Sequence, residues 1–354
     1  MKQIIISSLL FLCVSANAQS LIDKDIEQIA YGALAEGISY CPEESFRYAG
    51  VVVMEVATGN IVANMSLFYK DGEFIKNIYG NMQPVPSGLG RSVLYLAMMP
   101  QAEPSMVIDT GDGGYVDSSG CTITDHNHKR GGFGVMNLKL SYIRNSDIGM
   151  LKAAEKVWGK DMKKLSEAIL RTSINLGGRV STGYSGRWQS HDVLGYSATM
   201  SLLQQMCWIN AVAGGKLLVR TDDRDSTTPY DTIKNAAALD SLRSAMRECV
   251  VEGMGRIMNS DYVSVAGITN VSQEDADGYK GLFAAAFFPY EKPEYTIGVY
   301  ILRKGNKGYA NPSYAAKNII EWMALNKLSS QHLPINTSKS NIKHKDDWMH
   351  PAAR

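Results

Sequence analysis

The spacing of apolar positions changes period several times along the chain, and each change marks an element. Ile22, Ile26, Ile29, Ala30 and Leu34 recur three and four apart and predict an amphipathic helix over Leu21 to Tyr40. Apolar runs then take over. Tyr48 to Val56 and Ile61 to Ser66 predict two strands around Ala57-Thr58-Gly59-Asn60, a hairpin turn with glycine in place. A Pro/Gly/Ser-rich loop, Pro84 to Gly90, runs into Val93, Leu94, Ala97 and Met98 at helical spacing. Small residues at that helix entrance are expected to leave room and to direct backbone N–H groups outward. Asp109 to Gly134 keeps neither period and predicts irregular loop. Helical spacing returns over Leu138 to Val157 and Met162 to Leu176. After a Gly/Ser-rich connection, Gly177 to Ser190, it returns over Thr199 to Gly214 and Asp231 to Val251. Tyr262 to Ile268, Gly281 to Pro289 and Tyr295 to Leu302 predict three closing strands, and Ala315 to Leu325 a last helix. Strands near both chain ends with helices between them predict an α+β fold on one sheet.

The termini add an address. Lys2, the apolar run Ile4 to Val14 and the small-x-small site Ala16-Asn17-Ala18 read as a cleavable signal peptide over 1–18. The run is shorter than the about 20 residues that span a bilayer, and Leu12 before Cys13 is wrong for a lipoprotein. The expected product is periplasmic or secreted, without a membrane span after cleavage. It is organised as an N-terminal helical segment, 19–44, a domain over 45–326 and a polar tail, 327–354, expected to be disordered. Cleavage removes one basic residue, Lys2, from 36, leaving 35 against 35 acidic. That balance gives no electrostatic case for nucleic acid. Cys41, Cys121, Cys207 and Cys249 form no CxxC, so a structural zinc site is not expected. Cys207 and Cys249 sit in apolar helical contexts and read as small buried residues.

Several blocks, taken in order, resemble the transpeptidase domain of penicillin-binding proteins, the high-molecular-weight class that cross-links peptidoglycan. They are AGVVVMEVATGNIVANMS, DTGDGGYV with TITDHNHKRGGFGVMNLKLSYIRNSDIGMLKAA, GYSATMSLLQQMCWINAVAGGKLL, LRSAMRECVVEGMGRIMNSDYVSVAGITNVSQ and GLFAAAFFPYEKPEYTIGVYI. The match runs from Tyr48 to Leu325, and collinear blocks are far more specific than one motif. It implies a β-lactamase/transpeptidase-like fold, an antiparallel sheet flanked by helices with an all-helical subregion.

In that family Ser-x-x-Lys opens a helix, Ser-x-Asn lies on a nearby loop and Lys-Thr/Ser-Gly on an edge strand. The chemistry is nucleophilic acyl transfer. Serine attacks the carbonyl of D-Ala-D-Ala while lysine, one helical turn on, takes its proton. Backbone N–H groups hold the oxyanion, and the strand lysine attracts the substrate carboxylate. Aligned on the first motif, VPSGLGRSVLYLA puts Gly88 in the nucleophile slot and Arg91 in the base slot. Glycine has nothing to attack with, and arginine stays protonated. Placing Ser87 in the slot pairs it with Gly90 and turns the side chain by about 100°. Ser92, with Tyr95 three residues on, is the best remaining nucleophile, although a serine packed inside a helix is the stronger reading. The second motif becomes Asn145-Ser146-Asp147, where only the permissive middle residue fits. The third becomes Ile268-Thr269-Asn270, which keeps threonine and loses both the cation and the glycine. Each motif has lost its key residue.

Other signals carry less. His126-Asn127-His128 beside Asp125 has the spacing of some metal sites, but the block matches a family segment that holds no metal. His191-Asp192 could join a distant serine in a triad, as unlinked residues of these types could in most chains of this size. No metal and no cofactor are expected. The reading is a pseudoenzyme of the bacterial cell envelope, in a binding or scaffolding role linked to peptidoglycan, with an envelope protein or peptidoglycan fragment as partner. The alternative is an active serine D,D-transpeptidase or carboxypeptidase with displaced catalytic residues. What separates them is whether any serine hydroxyl at the helix entrance meets a lysine, tyrosine or histidine base. A further expectation concerns the fold of the centre. Arg91 and Asp147 occupy positions that face each other across the nucleophile, and a glycine there leaves space for the guanidinium. A buried, bidentate Arg91–Asp147 pair is therefore expected to close the centre.

Overall fold

A computed structural model describes residues 22–38, 45–70, 73–77, 84–172, 187–219, 228–305 and 311–328. The expected signal peptide, most of the connection from Gly177 to Ser190, Cys41 and all but the start of the polar tail lie outside these residues. In chain order the helices are α1 (Lys24–Ile38), α2 (Gly90–Met98), α3 (Leu138–Ile143), α4 (Asp147–Trp158), α5 (Met162–Thr172), α6 (Ser190–Val193), α7 (Leu202–Gly214), α8 (Ala236–Val251) and α9 (Pro312–Asn326). The long strands are β1 (Phe46–Glu55), β2 (Ile61–Lys70) and β3 (Glu73–Asn77). Short ones follow: β4 (Pro84–Pro86), β5 (Val107–Asp109), β6 (Gly114–Val116), β7 (Thr122–Thr124), β8 (Val135–Asn137), β9 (Thr199–Ser201), β10 (Lys216–Val219) and β11 (Thr228–Thr232). The chain closes with β12 (Ala266–Val271), β13 (Tyr279–Phe288) and β14 (Tyr295–Lys304).

The sheet runs β12-β13-β14-β1-β2-β3, antiparallel throughout, so the two ends of the chain meet where β1 pairs with β14. Strand periodicity divides its side chains between two cores. Val51, Val53, Ala284, Ala286 and Val299 pack with α1 and α9. Val52, Met54, Phe283, Ala285 and Tyr300 pack with the helices inserted between the strands. This is the expected antiparallel sheet with an all-helical region beside it. Asp23 opens α1 by accepting from Asp25 N (3.0 Å) and Ile26 N (3.2 Å), and it pairs with Lys327 from the end of α9.

Several boundaries depart from the sequence reading, and local side-chain bonds account for three of them. The helix expected over Leu138 to Val157 breaks into α3 and α4. Asn145 takes a left-handed conformation (φ 52) and the Ser146 hydroxyl caps α4, accepting from Gly149 N at 2.9 Å. The helix expected from Thr199 begins at Leu202, behind a Ser201/Gln204 capping box, and Thr199–Ser201 pairs with β4. The helix expected from Asp231 begins at Ala236, where the Asn235 side chain accepts from Ala238 N. The strand expected over Tyr262 to Ile268 lies over Ala266–Val271. The segment expected to be loop holds two short strand pairings, β5 with β8 and β6 with β7. Cys207 and Cys249 are buried free thiols, and burial pushes them up to about 12 and about 11. No helix among the described residues is long and apolar enough to cross a membrane.

Asp117 fastens the β6–β7 turn to α6. Its carboxylate accepts from Ser119 N (2.8 Å), Ser119 Oγ (2.5 Å), Cys121 N (3.0 Å) and Ser190 N (3.0 Å). Burial opposes the charge, but these bonds hold the group well below the usual carboxylate range. A depressed carboxyl stabilises the fold above its unfolded value of about 3.9 and loses that contribution as pH falls below it. Asp117→Asn is expected to cost about 1.5–3 kcal/mol at pH 7. Urea unfolding should show the gap narrowing as the pH drops through about 4. A gap that stays constant with pH would contradict the assignment.

Candidate functional site

The three motif positions converge. The α2 entrance, the loop between α3 and α4, and the edge strand β12 meet at Arg91, Asp147 and Asn270. The short β4–β9 pairing and a Ser87 N to Ala198 O bond of 2.9 Å hold the entrance against α7.

The position aligned with the family nucleophile has no room for a side chain. A Cβ added at Gly88 would lie 2.1 Å from Cδ1 of Phe283, a ring 1% exposed on β13. The Gly88 N–H, the donor best placed to hold an oxyanion at that slot, gives its proton to Gln205 Oε1 at 2.8 Å. A Cβ at Gly90 would lie 1.9 Å from Leu194 O. The small residues thus serve close packing, and the room expected at this entrance is taken by Phe283 and by the Leu194–Gly195 backbone.

Arg91 forms the expected pair with Asp147, its Nη1 2.5 Å from Oδ1, with side chains 11% and 14% exposed. The bidentate geometry does not occur. The other guanidinium nitrogen turns to β12, reaching Asn270 Oδ1 at 2.5 Å and Thr269 O at 3.3 Å. The second carboxylate oxygen accepts from Tyr196. One cation therefore joins all three motif positions. Burial works against its charge, yet Asp147 prevails and holds Arg91 above its ordinary range. Burial, then the Asp147 charge, pushes Tyr196 well up. Asn145 Nδ2 also donates to Thr269 O (3.0 Å), so that edge-strand carbonyl already has two donors. Ser146 Oγ donates to Asp125 (2.6 Å) while it caps α4, and Ile268 is buried in the apolar core.

Among the described residues neither fallback serine meets a lysine or a histidine, and Ser92 meets a tyrosine. Ser87 Oγ accepts from Leu89 N (3.2 Å) and otherwise touches Met200. Ser92 is 1% exposed and bonds Tyr142 at 2.9 Å, while Tyr95 pairs with Ser241 instead of Ser92. Burial raises the Tyr142 hydroxyl far above its usual value, against use as a base. His126 packs edge-on to Phe133, and His128 Nδ1 bonds Asp112 O at 2.9 Å. Burial lowers His126. No group of His, Cys, Asp or Glu among the described residues could hold a metal. Asp192 accepts from Ser197 Oγ (2.6 Å), and the His191 ring packs edge-on to Tyr196, so they compose no triad.

Phe283, Gln205 and Tyr196 escape the sequence reading. A polar Gln205 within the apolar run of α7 is a signal that could have been found, whereas Phe283 looks like any core aromatic. Beside the filled centre lies a groove of 740 Å³, bounded by Thr269, Asn270 and Phe283 on one side and by His126, Asn127 and Arg130 on another.

No family model matches the chain, and no curated protein does. Solved structures do. A peptidoglycan glycosyltransferase from Burkholderia ambifaria superposes with a TM-score of 0.66 at 18% identity, over 86% of this chain and 97% of that one. The D,D-transpeptidase domain of a peptidoglycan glycosyltransferase from Eggerthella lenta gives 0.66 at 15%, over 87% and 83%. Penicillin-binding protein 2B from Streptococcus pneumoniae strain R6 gives 0.68 at 13%, over 89% of this chain and 59% of that one. The fold is that of these transpeptidase domains.

The Arg91 network predicts an asymmetry. Asp147→Ala leaves a buried guanidinium short of its main partner and is expected to cost about 3–5 kcal/mol. Arg91→Met with Asp147→Leu removes both charges and is expected to cost much less. Equal losses in denaturant unfolding would mean that burial contributes little to this pair.

Proposed function

We propose that this chain is a non-catalytic, transpeptidase-like protein of the bacterial cell envelope that works by binding. Its peptidoglycan-linked setting comes from the fold it shares with peptidoglycan transpeptidase domains and from the signal peptide read at 1–18. The observation that carries the reading is Phe283 standing 2.1 Å from where a side chain at position 88 would begin. An acyl-transfer centre needs a hydroxyl, a base and free oxyanion donors at that point. Here the hydroxyl is missing, the base slot holds a cation bonded to Asp147 and Asn270, and the Gly88 N–H is bonded to Gln205.

Intact-mass analysis after incubation with a labelled penicillin tests it. The mature chain is expected to form no covalent adduct. Gly88→Ser with Arg91→Lys should remain unlabelled too, because the new serine collides with Phe283, at a cost of about 1–3 kcal/mol for an overpacked core. A stable adduct mapping to Ser87 or Ser92 would establish the serine-enzyme alternative and end the binding-only reading.

A further inference from the structure

We propose that the groove beside the filled centre docks a short acidic peptide segment of a partner protein, one that interleaves carboxylates with large apolar side chains. The inference deepens the binding role proposed above and rests on it.

Charge gives the first argument. Arg130 from the 3-10 turn His128–Arg130, Arg144 from the end of α3, and Arg256 from the 3-10 turn Arg256–Met258 all line the groove, and all three are exposed. None forms an ion pair among the described residues. Glu252 is the one carboxylate in the lining, so three cations against one anion leave an excess of two positive charges. The whole chain carries only +1. Guanidinium forks match carboxylates well.

The second argument is apolar. Met254 and Val271 line the same groove at 42% and 53% exposure, with Phe133 and its edge-on His126 beside them. A bare oxyanion would satisfy the arginines and leave these side chains wet. A peptide with both carboxylates and large apolar residues covers both kinds of surface. The volume, 740 Å³, suits a segment of a few residues.

The segment does not extend the sheet at Thr269, whose carbonyl is taken by Arg91 and Asn145. The occupant is instead held by side chains.

Selection of random short peptides displayed on phage against the purified mature chain tests this. Enriched peptides are expected to be net acidic and to contain Leu, Phe, Trp or Met. Synthetic copies should bind in fluorescence anisotropy. Arg130→Glu, Arg144→Glu and Arg256→Glu combined should weaken them at least about tenfold, with an unchanged melting curve. If the triple variant does not fold, the single Arg144→Gln and Arg256→Gln changes give the same reading at smaller size. Met254→Ser and Val271→Ser should each weaken binding about threefold. No enrichment, enrichment of neutral or basic peptides, or affinity indifferent to charge reversal would overturn the proposal. So would displacement by low-millimolar inorganic phosphate, which would mark a site for oxyanions alone. These outcomes leave the acylation result untouched, so the docking site and the non-catalytic reading fail separately.

Discussion

A buried guanidinium is the constraint around which this centre is built. Removing a charge from water costs several kcal/mol unless partners surround it, and Arg91 is satisfied by drawing on two segments distant from its own helix. Asp147 comes from the start of α4, while Asn270 and the Thr269 carbonyl come from an edge strand more than a hundred residues later. Tyr196 completes the carboxylate from the segment after α6. Because the partners cannot be exchanged singly without stranding a charge, the helix entrance, the inter-helix loop and the strand edge are locked in one arrangement. The net stabilisation can be small even so; what the network supplies is specificity of that arrangement.

The scaffold makes this meeting possible. Alternation along β13 sends Phe283 into the helical core and its neighbour Ala284 to the opposite one. The same strand that braces β12 therefore also delivers the ring that fills the Gly88 slot. Helix α7 is buried along most of its length, so a polar residue there needs a specific partner. Gln205 finds it in the Gly88 N–H. Two backbone approaches, at Gly88 and Gly90, are close because neither residue has a Cβ to keep its neighbour away.

Much of this was legible in the chain and some was not, for identifiable reasons. Long strands and amphipathic helices follow from periodicity, because burial of a face repeats with the geometry of the element. The three positions aligned with the family motifs hold glycine, arginine and isoleucine, types whose side chains cannot perform acyl-transfer chemistry, and that much is a property of the sequence. The pairing of Arg91 with Asp147 followed from charge and position. Its geometry did not, because the second half of the fork was claimed by Asn270, and a competition between partners depends on distances that no sequence states. The helix break at Asn145-Ser146 was overlooked because apolar spacing continues through it, whereas a left-handed asparagine and a capping serine decide the matter locally. Phe283 was unreadable for a different reason. Nothing in the sequence distinguishes an aromatic that packs against the α2 entrance from one that fills any other part of a core.

Filling the centre does not erase the surface beside it. Catalytic clefts must hold a substrate and also leave its reacting atom exposed to a nucleophile and oxyanion donors. Binding requires only the first. Where Phe283, Gln205 and Arg91 meet the α2 entrance, the polar groups bond one another and do not compete for a ligand. The groove next to them is different in kind: its arginines are exposed and form no ion pair among the described residues. Free energy for recognition resides in groups that still have bonds to make. On the reading proposed for this chain, the useful surface lies beside the closed centre and not within it.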